Sequence, residues 1–128
     1  MGGGYRNPLA GMQLIDLTGI GKGNNYPTDI DALFEIGDKA RIIYEFKYGD
    51  ADCSYGQRLA LTRLVDDFEA IGKHSCLLIA HHKTESPAMV AGAECRVDKV
   101  YIHKQWHEIK SHITVGEYTK YLRQKWGV

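Results

Sequence analysis

Two aspartates, Asp29 and Asp31, stand at the head of one apolar stretch, and the triplet Glu45-Phe46-Lys47 closes the next. Residues two apart in a strand share a face. Glu45 and Lys47 would therefore emerge side by side, with Tyr44, Phe46 and Tyr48 on the other face. Two carboxylates at about 4 Å repel by roughly 4 kcal/mol at an effective dielectric near 20. A proton on one of them, or a cation between them, offsets that. An all-oxygen site suits a hard ion such as Mg²⁺, with Mn²⁺ as substitute; Mg²⁺ keeps several waters and takes one or two carboxylates plus substrate phosphate oxygens. An ion held there lowers the pKa of a water and polarises a phosphoryl group, and Lys47 is placed to orient that water. The plain alternative is a salt-bridge ladder on an exposed sheet face.

The chemistry depends on how two strands pair. Ile30 to Ile36 and Ala40 to Lys47 both alternate as strands, and Gly37-Asp38-Lys39 between them is a short turn. If Ile36 pairs with Ala40, Glu35 faces Arg41, Leu33 faces Ile43, Asp31 faces Glu45, and Asp29 approaches Lys47. With a loop of Gly37-Asp38 alone, Asp31 faces Tyr44 and the acids lie on opposite faces. The first register is favoured because it sets opposite charges across the strands at Glu35 and Arg41, a pair contributing roughly 0.2–1 kcal/mol.

Asp31 with Glu45-Phe46-Lys47 resembles the PD-(D/E)xK nuclease superfamily. The helix that follows strengthens the likeness. In Tyr55-Gly56-Gln57-Arg58-Leu59-Ala60-Leu61-Thr62-Arg63-Leu64-Val65-Asp66, the Gly-Gln-Arg-Leu-Ala-Leu-x-Arg-Leu pattern is similar to a small, phage-associated branch of these enzymes. The likeness covers about residues 27 to 82. It implies a restriction-endonuclease-like core, with Asp31, Glu45 and the backbone carbonyl of Phe46 as metal ligands. It also implies that Lys47 positions or helps deprotonate the attacking water and that Gln57 supports the site or holds substrate. The family's Pro-Asp is here Pro27-Thr28-Asp29-Ile30-Asp31, so Asp29 and Asp31 both compete for the ligand position, and the strand register selects Asp31. Many members carry a glutamate on a helix before the hairpin. None precedes Glu35 here, which implies one-metal chemistry.

At 128 residues the chain is long enough for one core but not for two. No apolar run reaches the length needed to span a bilayer. No signal peptide is visible behind Met1-Gly2-Gly3-Gly4, and three cysteines without a CxxC pair read as reduced thiols, so a cytoplasmic setting is expected. The net charge of zero argues against a nucleic-acid enzyme, which usually carries excess Lys and Arg. The charge is uneven, however. From residue 96 onward seven Lys and Arg stand against three acids, while the acids gather in the half that carries the candidate site.

Around that site the chain reads as follows. Leu9 to Leu17 is an expected opening helix, and Gly19 to Asn25 a loop. A helix runs from about Tyr55 to Ile71, with Leu61, Leu64, Val65, Phe68 and Ile71 as its apolar stripe and Asp66, Asp67 and Glu69 solvated. Arg58, one turn from the site, reads either as a phosphate contact or as a surface ion pair. Ser75 to Ala80 is a buried strand closed by His81 and His82, and the strand–helix–strand order makes a mixed sheet. Lys83 to Ala93 is a loop and Val97 to Ile102 a further strand. His103 and His107 read as surface residues. Thr114 to Glu117 is a capping box opening a helix with Tyr118, Tyr121, Leu122 and Trp126 on one stripe.

The expected fold is a single α/β domain with a mixed central sheet flanked by helices. Residues 1–26 form an N-terminal helix and loop, 27–82 the motif region, and 83–128 a terminal strand and helix. The expected activity is Mg²⁺-dependent hydrolysis of DNA phosphodiesters, with a symmetric homodimer where a duplex is cut and no membrane partner. The alternative is a catalytically inactive module of the same fold that recruits a nucleic acid or protein.

Overall fold

The computed structural model describes residues 15–23, 27–86 and 88–128. Strands β1 (Ala32–Ile36) and β2 (Ala40–Tyr48) pair antiparallel. Gly37 and Asp38 both have positive φ, 54° and 55°, the backbone of the primed turns whose twist matches a hairpin. Lys39 N–H closes the turn on the Ile36 carbonyl at 3.0 Å. Lys39 is thus a third loop residue, and pairing resumes with Ile36 opposite Ala40, Glu35 opposite Arg41 and Leu33 opposite Ile43. This is the register favoured from the charges, and Arg41 lies 3.6 Å from Glu35.

Helix α1 (Tyr55–Ala70) carries the chain from β2 to β3 (His74–His82), which runs parallel to β2. β4 (Arg96–Ile102) and β5 (Gln105–Glu108) follow antiparallel, and the sheet order is β1-β2-β3-β4-β5. Helix α2 (Val115–Trp126) ends the chain. Its capping box forms as expected: Thr114 Oγ1 accepts from Glu117 N–H at 3.2 Å, and Glu117 Oε1 accepts from Thr114 N–H at 2.9 Å.

Alternation along β2 and β3 sorts the core into two layers. Ile43, Leu77, Ile79 and Tyr101 pack with Leu61 and Val65 of α1. Ile42, Tyr44, Cys76, Leu78, Val97 and Val100 pack with Val115 and Leu122. The result is one compact α/β domain, a five-stranded mixed sheet between two helices. Among the described residues, no helix is long and apolar enough to cross a membrane.

Several expectations shift. β5 was not legible, because its hairpin turns on His103 and Lys104, both at positive φ (51° and 62°), with none of the Gly, Asn or Asp that marks such turns. Tertiary contact supplies what local sequence lacks. Glu69 accepts from His103 N–H at 3.2 Å, and its other oxygen lies 2.9 Å from His103 Nδ1. Glu69 and Asp66 are therefore half-buried rather than solvated, Asp66 accepting from the Tyr101 hydroxyl at 2.9 Å. Ile71, expected in the apolar stripe, caps α1 instead and is 67% exposed. β3 runs on through His82. Residues 9–14 of the expected opening helix lie outside the described residues, and 15–17 are not helical; Asn24 and Asn25 of the glycine-rich loop also lie outside.

Leu61 joins α1 to the sheet with no exposed surface. Leu61→Ala is expected to cost about 2–5 kcal/mol, whereas Glu35→Ala, which removes a half-solvated ion pair, costs under about 1 kcal/mol. Urea titrations of both variants check the contrast.

Candidate functional site

The site forms where the hairpin opens, at the C-terminal end of β2. Continuing the β1–β2 register by one residue sets Asp31 opposite Glu45. Backbone pairing stops there and side chains take over. Phe46 N–H donates to Asp31 Oδ2 at 2.8 Å, and Asp31 N–H donates to Glu45 Oε2 at 2.9 Å. This exchange explains why β1 begins at Ala32 rather than Ile30.

Glu45 and Lys47 share the α1 face, as alternation requires, while Tyr44 and Phe46 stack on the other face with centroids 6.2 Å apart. Lys47 Nζ lies 3.6 Å from Glu45 Oε1. Gln57 reaches in from the first turn of α1. Its Nε2 donates to Glu45 Oε1 at 2.6 Å and lies 3.5 Å from the Asp29 carbonyl oxygen, and its Oε1 accepts from Lys47 Nζ at 2.9 Å. Ser54-Tyr55-Gly56-Gln57 is a capping-box sequence, yet only half of the box forms. Ser54 Oγ accepts from Gln57 N–H at 3.2 Å, but the Gln57 side chain leaves the cap for the acid and the lysine. Local helix chemistry yields here to the site.

Glu45 has no exposed surface. An exposed salt-bridge ladder is thereby excluded for this residue. Burial pushes its carboxyl above the ordinary glutamate value. The Asp31 N–H and the Lys47 ammonium pull it back, the Asp31 carboxylate pushes it further up, and the net shift is upward. Desolvation beside a specific charge partner makes Glu45 a candidate functional carboxylate.

Asp31, Glu45, Lys47 and Gln57 are thus brought together. Asp31 rather than Asp29 supplies the second carboxylate, Asp29 contributing only its carbonyl among the described contacts. Among the described residues no three His, Cys, Asp or Glu side chains converge. Two carboxylates nonetheless match what Mg²⁺ takes when it keeps its waters. Asp31 Oδ1 has no donor among the described residues, while both Glu45 oxygens are engaged. Each Glu45 oxygen accepts one hydrogen bond and keeps a second lone pair for an ion. The two carboxylates fit a hard divalent cation, with Asp31 and Glu45 as the side chains that would hold it.

Arg58 is paired within the protein in this structure. Its Nη2 lies 2.8 Å from Asp52 Oδ2, which also lies 3.4 Å from Lys99 Nζ. Neither Asp52 nor Lys99 was picked out by sequence. No local spacing links them, since Lys99 reaches the group through β4 pairing. His81 stands opposite Lys47 in the parallel ladder, its Nε2 2.7 Å from the Ala51 carbonyl oxygen and its Nδ1 3.7 Å from Asp98. It lines a cleft of about 710 Å³ together with Arg96 and His112. Comparison of the chain with protein-family models, curated proteins and solved structures gives no match.

The raised Glu45 value has a stability consequence. Above 4.5, the ordinary value, the folded protein holds a Glu45 proton that the unfolded chain has lost. Stability therefore falls as pH rises through that interval. Asp38, held low by its hydrogen bond to Lys73, and Glu117, held low by the Thr114 N–H, act oppositely and lose their contribution as pH falls. Thermal unfolding in EDTA is expected to show a declining Tm limb above pH 4.5 in the wild type that is reduced in Glu45→Gln. Identical limbs in the two proteins would contradict the assignment.

Proposed function

We propose that this protein is a metal-dependent nuclease of the PD-(D/E)xK type, hydrolysing DNA phosphodiester bonds. The observation that carries this reading is the fully buried Glu45, ringed by Asp31, Lys47 and Gln57 at the C-terminal end of a parallel strand pair. Ligands of open α/β sheets bind at strand C-termini. A carboxylate held out of water beside another acid weakens a fold unless something uses it.

Bound Mg²⁺ would supply a water of lowered pKa and neutralise charge on the phosphoryl oxygens. The chain's own residues do the rest. Asp31, just before β1, and Glu45, on β2, would hold the ion. Lys47, fixed by Gln57 Oε1 at 2.9 Å, donates toward the attacking water and steadies the charge that develops at phosphorus. Water loses one proton as its oxygen bonds to phosphorus, the ester P–O bond breaks, and the leaving oxygen takes up a proton in exchange through solvent. One such site cuts one strand, so scission of a duplex calls for a homodimer. Cys53, Cys76 and Cys95 are unpaired and buried, which supports a reducing, cytoplasmic setting.

A second reading, a catalytically inactive module of the same architecture that recruits a nucleic acid or protein, is favoured by one observation. Gln57 and Asp31 N–H already satisfy both Glu45 oxygens. Divalent ions separate the two readings. The nuclease reading predicts Mn²⁺-dependent cleavage in a panel of labelled linear, flapped, branched and single-stranded DNA and RNA. Asp31→Ala and Glu45→Ala are expected to abolish cleavage, and Lys47→Ala to reduce it about 10²–10⁴-fold. Cleavage that survives all three substitutions would overturn the assignment of this site, and a folded wild type that cuts nothing would leave the binding module.

A further inference from the structure

Beside the acid–lysine site lies a second charged group that the proposed hydrolysis does not use. Glu45 is opposite Ile79, and Ile79 is opposite Lys99. Cross-strand partners share a face. Lys99 therefore projects on the same side as Glu45, two strands away, or about 10 Å at the usual strand spacing. Arg58 follows Gln57 on α1. These two cations, from different elements, converge on one oxygen, Asp52 Oδ2, at 2.8 Å from Arg58 Nη2 and 3.4 Å from Lys99 Nζ. The Arg58 guanidinium lies 5.3 Å from the centre of the Trp106 ring, and its Nε is buried without a partner among the described residues. A buried guanidinium N–H left unpaired is costly.

Asp52 sits on the loop between β2 and α1, with 45% of its side chain exposed. Its other oxygen, Oδ1, accepts from Cys53 N–H at 2.8 Å, so the loop presents Oδ2 alone to the two cations. Two basic side chains meeting on one anionic oxygen is the arrangement that a phosphate oxygen receives from Lys and Arg.

We propose that Arg58 and Lys99 form a subsite for a backbone phosphate adjoining the scissile one, and that Asp52 occupies it in the free protein as an internal phosphate mimic. The inference rests on the nuclease reading of the neighbouring site. It also accounts for how a chain of zero net charge would hold a polyanion. The cations are present but neutralised from within, and substrate displaces the Asp52 carboxylate. Trp106, 37% exposed, backs the guanidinium so that Arg58 keeps its plane when Asp52 leaves.

The test is fluorescence anisotropy in EDTA, where no cleavage occurs, with fluorescein-labelled single-stranded and duplex DNA and RNA of about 16 nucleotides, the upper end of the site sizes of single-strand binders. Asp52→Asn keeps the Oδ1 acceptor for Cys53 N–H and replaces Oδ2 by an uncharged amide nitrogen that cannot accept from Arg58 or Lys99. It is expected to tighten binding about three- to tenfold. Arg58→Gln and Lys99→Gln are expected to weaken binding, each lowering the slope of log K against log salt by about one. In Asp52→Asn/Arg58→Gln the tightening should shrink. Thermal unfolding of each variant confirms that it is folded. Unchanged or weaker binding by Asp52→Asn, wild-type binding by both cation variants, or no binding by any protein would overturn the subsite. Mn²⁺-dependent cleavage, measured separately with Lys47→Ala as control, tells the two ideas apart. Tightening by Asp52→Asn without cleavage sinks the hydrolytic reading and leaves the subsite. Cleavage with no response to Asp52→Asn does the reverse.

Discussion

A carboxylate with no exposed surface, set at the end of an apolar sheet face, is the constraint around which the candidate site is arranged. Taking an ionised acid out of water costs several kcal/mol in a real protein, and at Glu45 three groups answer that cost: the Asp31 N–H, the Gln57 amide and the Lys47 ammonium. Each comes from a different part of the chain. Asp31 arrives through the hairpin register, Gln57 through the cap of α1, and Lys47 through alternation along β2. The burial of one acid thus ties together the segment before β1, β2 and the first turn of α1. Gln57 has the most connected position of the three, because its amide oxygen and nitrogen hold the lysine and the acid at once.

The hairpin decides whether that group exists at all. A loop one residue shorter would turn Asp31 to the far face. Gly37 and Asp38 take positive φ, Lys39 adds the third loop residue, and Glu35 meets Arg41 across the strands. The Arg41 guanidinium also covers the Phe68 ring at 4.7 Å, so the register is fastened to α1 as well as to β1. A turn distant from the site in space governs which side chains enter it. The second charged group, around Asp52, depends on the same sheet through the lateral line from Glu45 to Ile79 to Lys99.

Much of this was legible in the residues because it rests on short-range rules. Strand alternation puts Glu45 and Lys47 on one face, a glycine-containing turn and a charge pair set the register, and Thr114 to Glu117 announces α2. The α/β class and the mixed sheet follow from the order of apolar stretches. What could not be read is tertiary. The His103-Lys104 turn lacks turn-forming residues and is held by Glu69 from another element, so β5 was missed. Arg58 could be placed near the site but not paired, since Asp52 and Lys99 meet it only in three dimensions. Ile71 has the right spacing for the apolar stripe but falls at the end of α1, where the backbone has already left the sheet. The full burial of Glu45 was equally invisible, because a polar residue at a strand end gives no local sign of what will cover it.

The central claim is that Asp31 and Glu45 grip a divalent ion beside Lys47. Anomalous scattering from crystals grown with Mn²⁺ tests it most directly. A bound ion is expected as a peak about 2.1 Å, a typical divalent coordination distance, from Asp31 Oδ1 and from a Glu45 oxygen. Crystals saturated with Mn²⁺ that show no peak there, with the bonds from Gln57 to Glu45 and Lys47 intact, would contradict it.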